Sequence, residues 1–340
     1  MKAYLLDKIG KPEVLKIKEV PDPTPAANEV KVRVETIGLN YAEVLSRRGQ
    51  YSWAPKRPYV PGMEVYGEVV AVGSEVTRFK EGQKVIAGNQ YGGYATCTCV
   101  PEHLIFPANE SVSPEENAAL LVCFMTAWVA LRKQARVVSG EKVLVQAAAG
   151  GVGTAAVQLA KAMGAEVIGT ASRPEKIELI KSLGADHAIN YAEEDFQSVI
   201  EKKYGTVDAV LEVVGGDVYK KSVELLGPFG RVVVIGFASI SFNKWKPWTW
   251  WKTWKDAPKV NVMNMAQNSY GISASHIGYL TENVELSQIL WEELSSFVTE
   301  HNIKPHVGKV FNFNQMPEAH AFMESRRSTG KIVIKGDGIE

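Results

Sequence analysis

The sequence predicts an α/β protein in which a doubly wound parallel sheet is inserted into an all-β unit. Three observations predict it. Roughly the first 120 residues carry short β-branched runs broken by Gly and Pro, the texture of an all-β unit. From Ser139 onward apolar strands alternate with helical patterns, and the tail ending GKIVIKG resumes the first texture. A length of 340 residues suits two domains. The expected boundaries are 1–122 with 280–340 for the β unit and 123–279 for the inserted one.

The amino-terminal MKAYLLDKIGKPEVLKI alternates like a strand and hairpin and lacks the apolar run of a secretory signal, so the expected location is the cytoplasm. The runs VKVRVETIGL, VYGEVVAVG, QKVIAG, GYATCTCV and HLIFPA then alternate at short intervals, as the strands of a small barrel do. Ala118 to Leu131 is the longest uncharged apolar stretch, and at 14 residues it falls short of the roughly 20 that cross a bilayer, so it reads as buried core.

The inserted unit opens with KVLVQAA and the helix VGTAAVQLAKAMG. EVIGTA with PEKIELIKSLG, HAINY with EEDFQSVIEKKYG, DAVLEVV with DVYKKSVELLG, and RVVVIGF follow. Near-continuous apolar strands of this kind belong in a parallel sheet covered on both faces. A further strand-like run, YGISASHIGYL, precedes an amphipathic helix expected from Val284 to Glu300.

Composition excludes several classes. Lys plus Arg (38) equals Asp plus Glu (38), so bulk charge recruits neither nucleic acid nor an anionic membrane. Three cysteines, Cys97, Cys99 and Cys123, make no disulfide framework and read as free thiols. The six histidines are scattered, and none forms a metal-spaced pair beside a third ligand.

Between the strand KVLVQAA and its helix stands Ala147-Ala148-Ala149-Gly150-Gly151-Val152-Gly153. Against the G-x-G-x-x-G fingerprint Ala148 takes the first glycine position, Gly150 the second and Gly153 the third. Gly150 would let backbone amides approach a pyrophosphate, and Gly153 would let helix and strand pack closely at an anion-favouring helix N-terminus. Because the cluster sits within a series of βα units, it reads as a dinucleotide site of the Rossmann type.

Charge selects the dinucleotide. NAD-specific folds end the second strand on an acid that binds the ribose hydroxyls. Here that place is Gly169-Thr170-Ala171-Ser172-Arg173, with no carboxylate before Glu175. Ser172, Arg173 and Lys176 offer a hydroxyl and two cations to a 2′-phosphate, so NADPH is the expected cofactor. The bland alternative is an N-cap Ser beside solvated helix charges.

At this point the whole chain resembles the quinone oxidoreductase branch of the medium-chain dehydrogenase/reductase superfamily. GLNYAEVLSRRGQY, PGMEVYGEVVAVG, AAAGGVG, LGADHAINY and ESRRSTGKIVI carry the resemblance. It implies a GroES-like β-barrel domain around the Rossmann domain. Zinc alcohol dehydrogenases of the superfamily bind catalytic zinc through Cys, His and Cys, whose positions fall here at Asn40, Met63 and Val122. A carboxamide, a thioether and an isopropyl group make no zinc site. The resemblance therefore implies a zinc-free reductase. Without a Lewis acid the natural acceptors are quinones and α,β-unsaturated carbonyls, which spread incoming charge by themselves.

By position, the resemblance puts Asn40 and Tyr51 on the substrate side of the nicotinamide, where either would hydrogen-bond the acceptor oxygen. Turn formation and packing are their bland alternatives. Thr126 and Phe237 fall at the nicotinamide ribose and ring, Tyr191 near the adenosine phosphate, and Arg326, or the adjacent Arg327, at the 2′-phosphate. Glu64, where zinc enzymes keep a carboxylate behind the metal, reads as structural.

Five tryptophans, Trp245, Trp248, Trp250, Trp251 and Trp254, are interleaved with Lys244, Lys246, Lys252 and Lys255 in an insert near 241–266. Together with HIGYL and NIKPHVGKV, it resembles the vesicle amine transport protein subgroup. A pocket cover, a subunit interface and a peripheral membrane contact are the three readings of it. The expected whole is an NADPH-dependent quinone or enone reductase, assembled as a homodimer. Its rivals are a nucleotide-binding or membrane-associated adaptor with little catalysis, and a zinc alcohol dehydrogenase.

Overall fold

A computed structural model of the chain describes residues 1–236 and 259–336. It falls into two units, Met1–Met125 with Ile277–Glu340, and Thr126–His276.

In the first unit, β1 (Lys2–Leu5) pairs antiparallel with β2 (Lys16–Glu19), the hairpin its alternation predicts. The main sheet begins with β3 (Glu29–Leu39), whose Val30, Val32 and Val34 all point into the core, because successive side chains of a strand take opposite faces. It continues through β4 (Glu64–Val72), β5 (Lys84–Gly88), β6 (Cys97–Pro101) and β7 (Ile105–Pro107). Long β3 is shared lengthwise. Its first residues, Glu29 to Arg33, pair with β6, while β4 runs along its other edge.

The second unit contains β8 (Lys142–Val145), β9 (Glu166–Ala171), β10 (His187–Asn190), β11 (Val207–Glu212), β12 (Leu226–Val234) and β13 (Gly271–Ala274). They form one parallel sheet in the order β10-β9-β8-β11-β12-β13. The chain winds outward from β8 through β10, then returns to β11 beside β8 and winds the other way. That reversal leaves a crevice at the carboxyl ends of β8 and β11, the place where open α/β sheets take ligands.

The run YGISASHIGYL is only partly a strand. It pairs with β12 through Ala274, Ser275 N–H bonds Val234 O, and β12 ends there. No partner among the described residues extends the ladder further, and Ile277–Thr281 closes into a 3₁₀ turn. The helix Val284–Glu300 has the bounds its periodicity predicts.

The chain then rejoins the first unit as β14 (Val307–Asn312) and β15 (Lys331–Lys335), giving the order β14-β15-β3-β4-β5-β7 with β6 on β3. Ile332, Val333 and Ile334 are fully buried. The apolar stretch from Ala118 forms the helix Leu121–Trp128 and a π turn, Val129–Gln134, within the core. No helix among the described residues is long and apolar enough to cross a membrane.

Candidate functional site

The glycine loop leaves β8 and enters the helix Gly151–Ala162 with Gly150 as N-cap. Gly153 has no room for a side chain: a Cβ there would lie 2.4 Å from Ala147 O and 2.7 Å from Ala148 Cα. Gly150 differs. A Cβ on it would meet only Ala147 O, at 3.4 Å, an ordinary contact within the chain. Its bareness serves whatever approaches from outside, and a nucleotide pyrophosphate against the first-turn amides of Gly151, Val152 and Gly153 fits that surface. The turn is set by Ala147, held in the left-handed region (φ 49°) while its N–H bonds Thr170 Oγ1 at 3.3 Å. Thr170 in turn donates to Gln146 Oε1 at 2.7 Å.

At the end of β9, Ser172 is half-buried and Arg173 exposed. Arg173, not Ser172, is the N-cap of the helix Pro174–Ser182, because Pro174 takes the first helical position. The bland alternative for Ser172, an N-cap, is thereby set aside. Burial first, and then the neighbouring Arg173 guanidinium, hold the Lys176 ammonium below the usual lysine range. Two cations kept this close suit an added anion. Tyr191 is exposed and its N–H bonds Ala171 O at 2.9 Å, which sets it beside Ser172.

In the first unit, strand register converges three distant residues. Ile332 of β15 faces Leu39 of β3, and Gly38 faces Glu64 of β4, so Lys331, Asn40 and Glu64 meet where the three strands end or begin. All three are buried. Lys331 Nζ donates to Asn40 Oδ1 at 2.7 Å, forms an ion pair with Glu64 Oε1, and lies 3.6 Å from Cys123 Sγ. Asn40 Nδ2 donates to Gly38 O at 3.2 Å and Glu64 Oε1 at 3.1 Å. Glu64 Oε2 accepts the Val122 N–H at 2.9 Å. Gly38 makes the room, since a Cβ there would sit 2.7 Å from Glu64 Cγ and 2.1 Å from Ala118 O. Burial pulls the Lys331 ammonium down, but Cys123, Glu64 and Glu43 outweigh it and leave it above its ordinary range.

A second buried carboxylate holds the backbone of Asn40. Glu43 accepts the Asn40 N–H at 2.6 Å, the Met63 N–H at 2.7 Å and the Tyr94 hydroxyl at 2.9 Å. Burial pushes its carboxyl up to about 7 against these donors and Lys331. Tyr94 O also lies 3.0 Å from His320 Nε2, and Arg47 Nε lies 3.3 Å from His320 Nδ1. A guanidinium only donates, so Nδ1 accepts, the neutral ring carries its proton on Nε2, and every bond in the chain points toward Glu43. Burial, and then Arg47, push His320 down to about 3, which keeps the ring neutral. Arg47 Nη2 pairs with Glu324 Oε1 at 2.6 Å.

The structure thus brings Asn40, Met63 and Val122 around two buried carboxylates in the first unit, and Gly150, Ser172, Arg173, Lys176 and Tyr191 to the carboxyl ends of the second unit's strands. Tyr51 is half-buried, edge-on to Trp53 at 6.4 Å, with burial and then Glu43 pushing its hydroxyl up to about 12. Thr126 is half-buried in the helix Leu121–Trp128. Arg326 belongs to the first unit and takes the left-handed conformation (φ 58°), while Arg327 lies over the Phe322 ring at 5.7 Å. Phe237 and the five clustered tryptophans lie outside the described residues. Sequence reasoning missed Lys331 and Glu43. The spacing Asn40-x-x-Glu43 was the available signal for Glu43, as a capping box. For Lys331 no local signal existed.

Comparison with known proteins agrees with this architecture. A profile described as "Alcohol dehydrogenase GroES-like domain" matches residues 26–110, and one described as "Zinc-binding dehydrogenase" matches residues 151–250. The human "Synaptic vesicle membrane protein VAT-1 homolog" is 33% identical over 339 residues, covering 98% of this chain and 86% of that one. The mouse "Quinone oxidoreductase" is 36% identical over 342 residues, covering 98% of this chain and 97% of that one. The Escherichia coli quinone oxidoreductase, solved in complex with NADPH, superposes with a TM-score of 0.85 at 29% identity, covering 98% of this chain and all of that one. Matched by both profiles, and 33% and 36% identical to two of these proteins over 98% of its length, the chain belongs to the quinone oxidoreductase branch of the medium-chain dehydrogenase/reductase superfamily.

Proposed function

We propose that the protein reduces quinones or α,β-unsaturated carbonyls with NADPH and without zinc. The observation that carries the reading is the donor set at Asn40. The positions of zinc ligands in the superfamily hold a carboxamide, a thioether and an isopropyl group, and the carboxylate behind them, Glu64, is already paired with the Lys331 ammonium. This set does not fit zinc. It supports an acceptor whose conjugation, rather than a Lewis acid, carries the arriving negative charge.

NADPH, when bound, supplies the hydride. Its binding is assigned to the amides of Gly150, Gly151, Val152 and Gly153 for the pyrophosphate, and to Ser172, Arg173 and Lys176 for the 2′-phosphate. Tyr191 would stack near the adenosine phosphate, with Thr126 and Phe237 at the nicotinamide end. The NADPH complex of the Escherichia coli relative supports the cofactor choice. Both amide hydrogens of Asn40 are committed to Gly38 O and Glu64, so Tyr51, protonated at neutral pH, is the proposed donor to the acceptor oxygen and Asn40 shapes the site. A homodimer is the proposed assembly.

Following NADPH oxidation against a panel of quinones and enones tests the reading, with turnover expected. No turnover, together with no cofactor binding, would overturn it. The likeness to the synaptic vesicle membrane protein supports a second reading, a nucleotide-binding adaptor, which cofactor binding without turnover would favour.

A further inference from the structure

Lys331 is a buried cation with a full set of partners: its ammonium meets Glu64, Asn40 Oδ1 at 2.7 Å and Cys123 Sγ at 3.6 Å. Burying an ion pair offers little cohesion that well-packed apolar side chains would not also give, so its place here asks for another use. The Asn40 amide suggests one. A carboxamide has two orientations of nearly equal shape, and its neighbours decide between them. Lys331 only donates, whereas Gly38 O and the Glu64 carboxylate only accept, so Oδ1 faces the ammonium and both amide hydrogens face the acceptors.

We infer that Lys331 is a positioning residue for the reduction proposed above: it fixes the Asn40 carboxamide in one orientation and neutralises Glu64 behind it. The inference rests on that proposal. A bare Glu64 carboxylate in this dry place would repel the enolate or hydroquinone anion that forms when hydride arrives, and the ammonium removes that repulsion. It also draws electrons toward Oδ1, which leaves the amide nitrogen end more positive. Gly38 shows that the backbone is shaped for this cluster, because any side chain there would displace Glu64.

Two variants separate positioning from cohesion. Lys331→Met strands Glu64 as an unpaired buried charge, and both Tm and kcat are expected to fall with the KM for NADPH unchanged. Lys331→Met/Glu64→Gln removes both charges, so Tm recovers, but the carboxamide introduced beside Asn40 accepts as readily as it donates, Oδ1 loses its ammonium donor, and Gly38 O alone still favours one orientation of the Asn40 amide. Its kcat is expected to stay on the order of 100-fold below wild type. Wild-type kcat in either variant would overturn the inference, since a purely structural pair would restore turnover with stability. Hydrogen exchange of the Asn40 side-chain amide, read by NMR, is independent of turnover. Stronger protection in wild type than in the double variant is expected, and equal exchange in the two would overturn the clamp. A wild-type protein with a protected amide and no turnover on any acceptor would sink the proposed reduction while leaving the clamp standing.

Discussion

Tyr94 donates its hydroxyl to Glu43 at 2.9 Å, and both side chains are buried. Tyr94→Phe keeps the ring and removes that donor, leaving a buried carboxylate one hydrogen bond short. A loss of about 2 kcal/mol is expected in denaturant unfolding. The pH dependence has a definite sign. The folded pKa of Glu43, about 7, lies above the ordinary 4.5, so its contribution is fully present below about 4.5 and is lost as pH rises through 7. The Tyr94→Phe loss is therefore expected to be larger at alkaline pH than at acid pH.

His320 works in the opposite direction. Its folded pKa, about 3, lies below the ordinary 6.5, so its contribution is present above 6.5 and is lost as pH falls from there toward 3. The full effect of such a shift is on the order of 5 kcal/mol. His320→Gln, which keeps an acceptor for Arg47 and a donor for Tyr94 but has no titrating ring, is expected to flatten the acid limb of a Tm-versus-pH curve. An unchanged acid limb would count against the neutral, Nε2-protonated ring.

The two outer positions of the glycine loop answer differently to a methyl group. Gly153→Ala places Cβ against Ala147 O and is expected to lower Tm and abolish NADPH binding together. Gly150→Ala meets no close atom of the protein, so stability should change by less than about 1 kcal/mol. NADPH affinity should still fall by about 10-fold or more, read by fluorescence titration, which corresponds to about 1.4 kcal/mol.

Cofactor choice is testable at Lys176. Lys176→Met removes a cation from the proposed 2′-phosphate site, and a charge-assisted hydrogen bond is worth about 1.5–3 kcal/mol. NADPH binding is expected to weaken accordingly, with NADH binding unaffected. Equal weakening of both nucleotides would show that Lys176 acts on the shared part of the molecule.

Much of this was legible locally. The sequence VLVQAAAGGVG announces strand, phosphate loop and helix in eleven residues, and the missing acid at Ser172 follows from one strand's end. What escaped was set by partners rather than by neighbours. Apolar periodicity carried YGISASHIGYL past Ala274, because nothing in that run records where β12 stops. Pro174 at the first helical position makes Arg173 the cap of the helix Pro174–Ser182, which removes the bland alternative for Ser172. Lys331 lies 291 positions from Asn40, and only the register of β15 on β3 brings them together.

The same register governs how the polypeptide comes into being. As the ribosome extends the chain from its first residue, Glu64 and Asn40 emerge early and wait through the synthesis of the entire inserted domain for their cation. All of the nucleotide-binding unit, Thr126–His276, is synthesised in the interval, while the amino-terminal sheet lacks both β15 along β3 and the cation for Glu64. Arrival of β15 closes the edge and neutralises the charge in one event. A newborn chain stalled before residue 331 is thus a finished domain tethered to an unfinished one, and it is the unfinished one that chaperones and proteases would recognise.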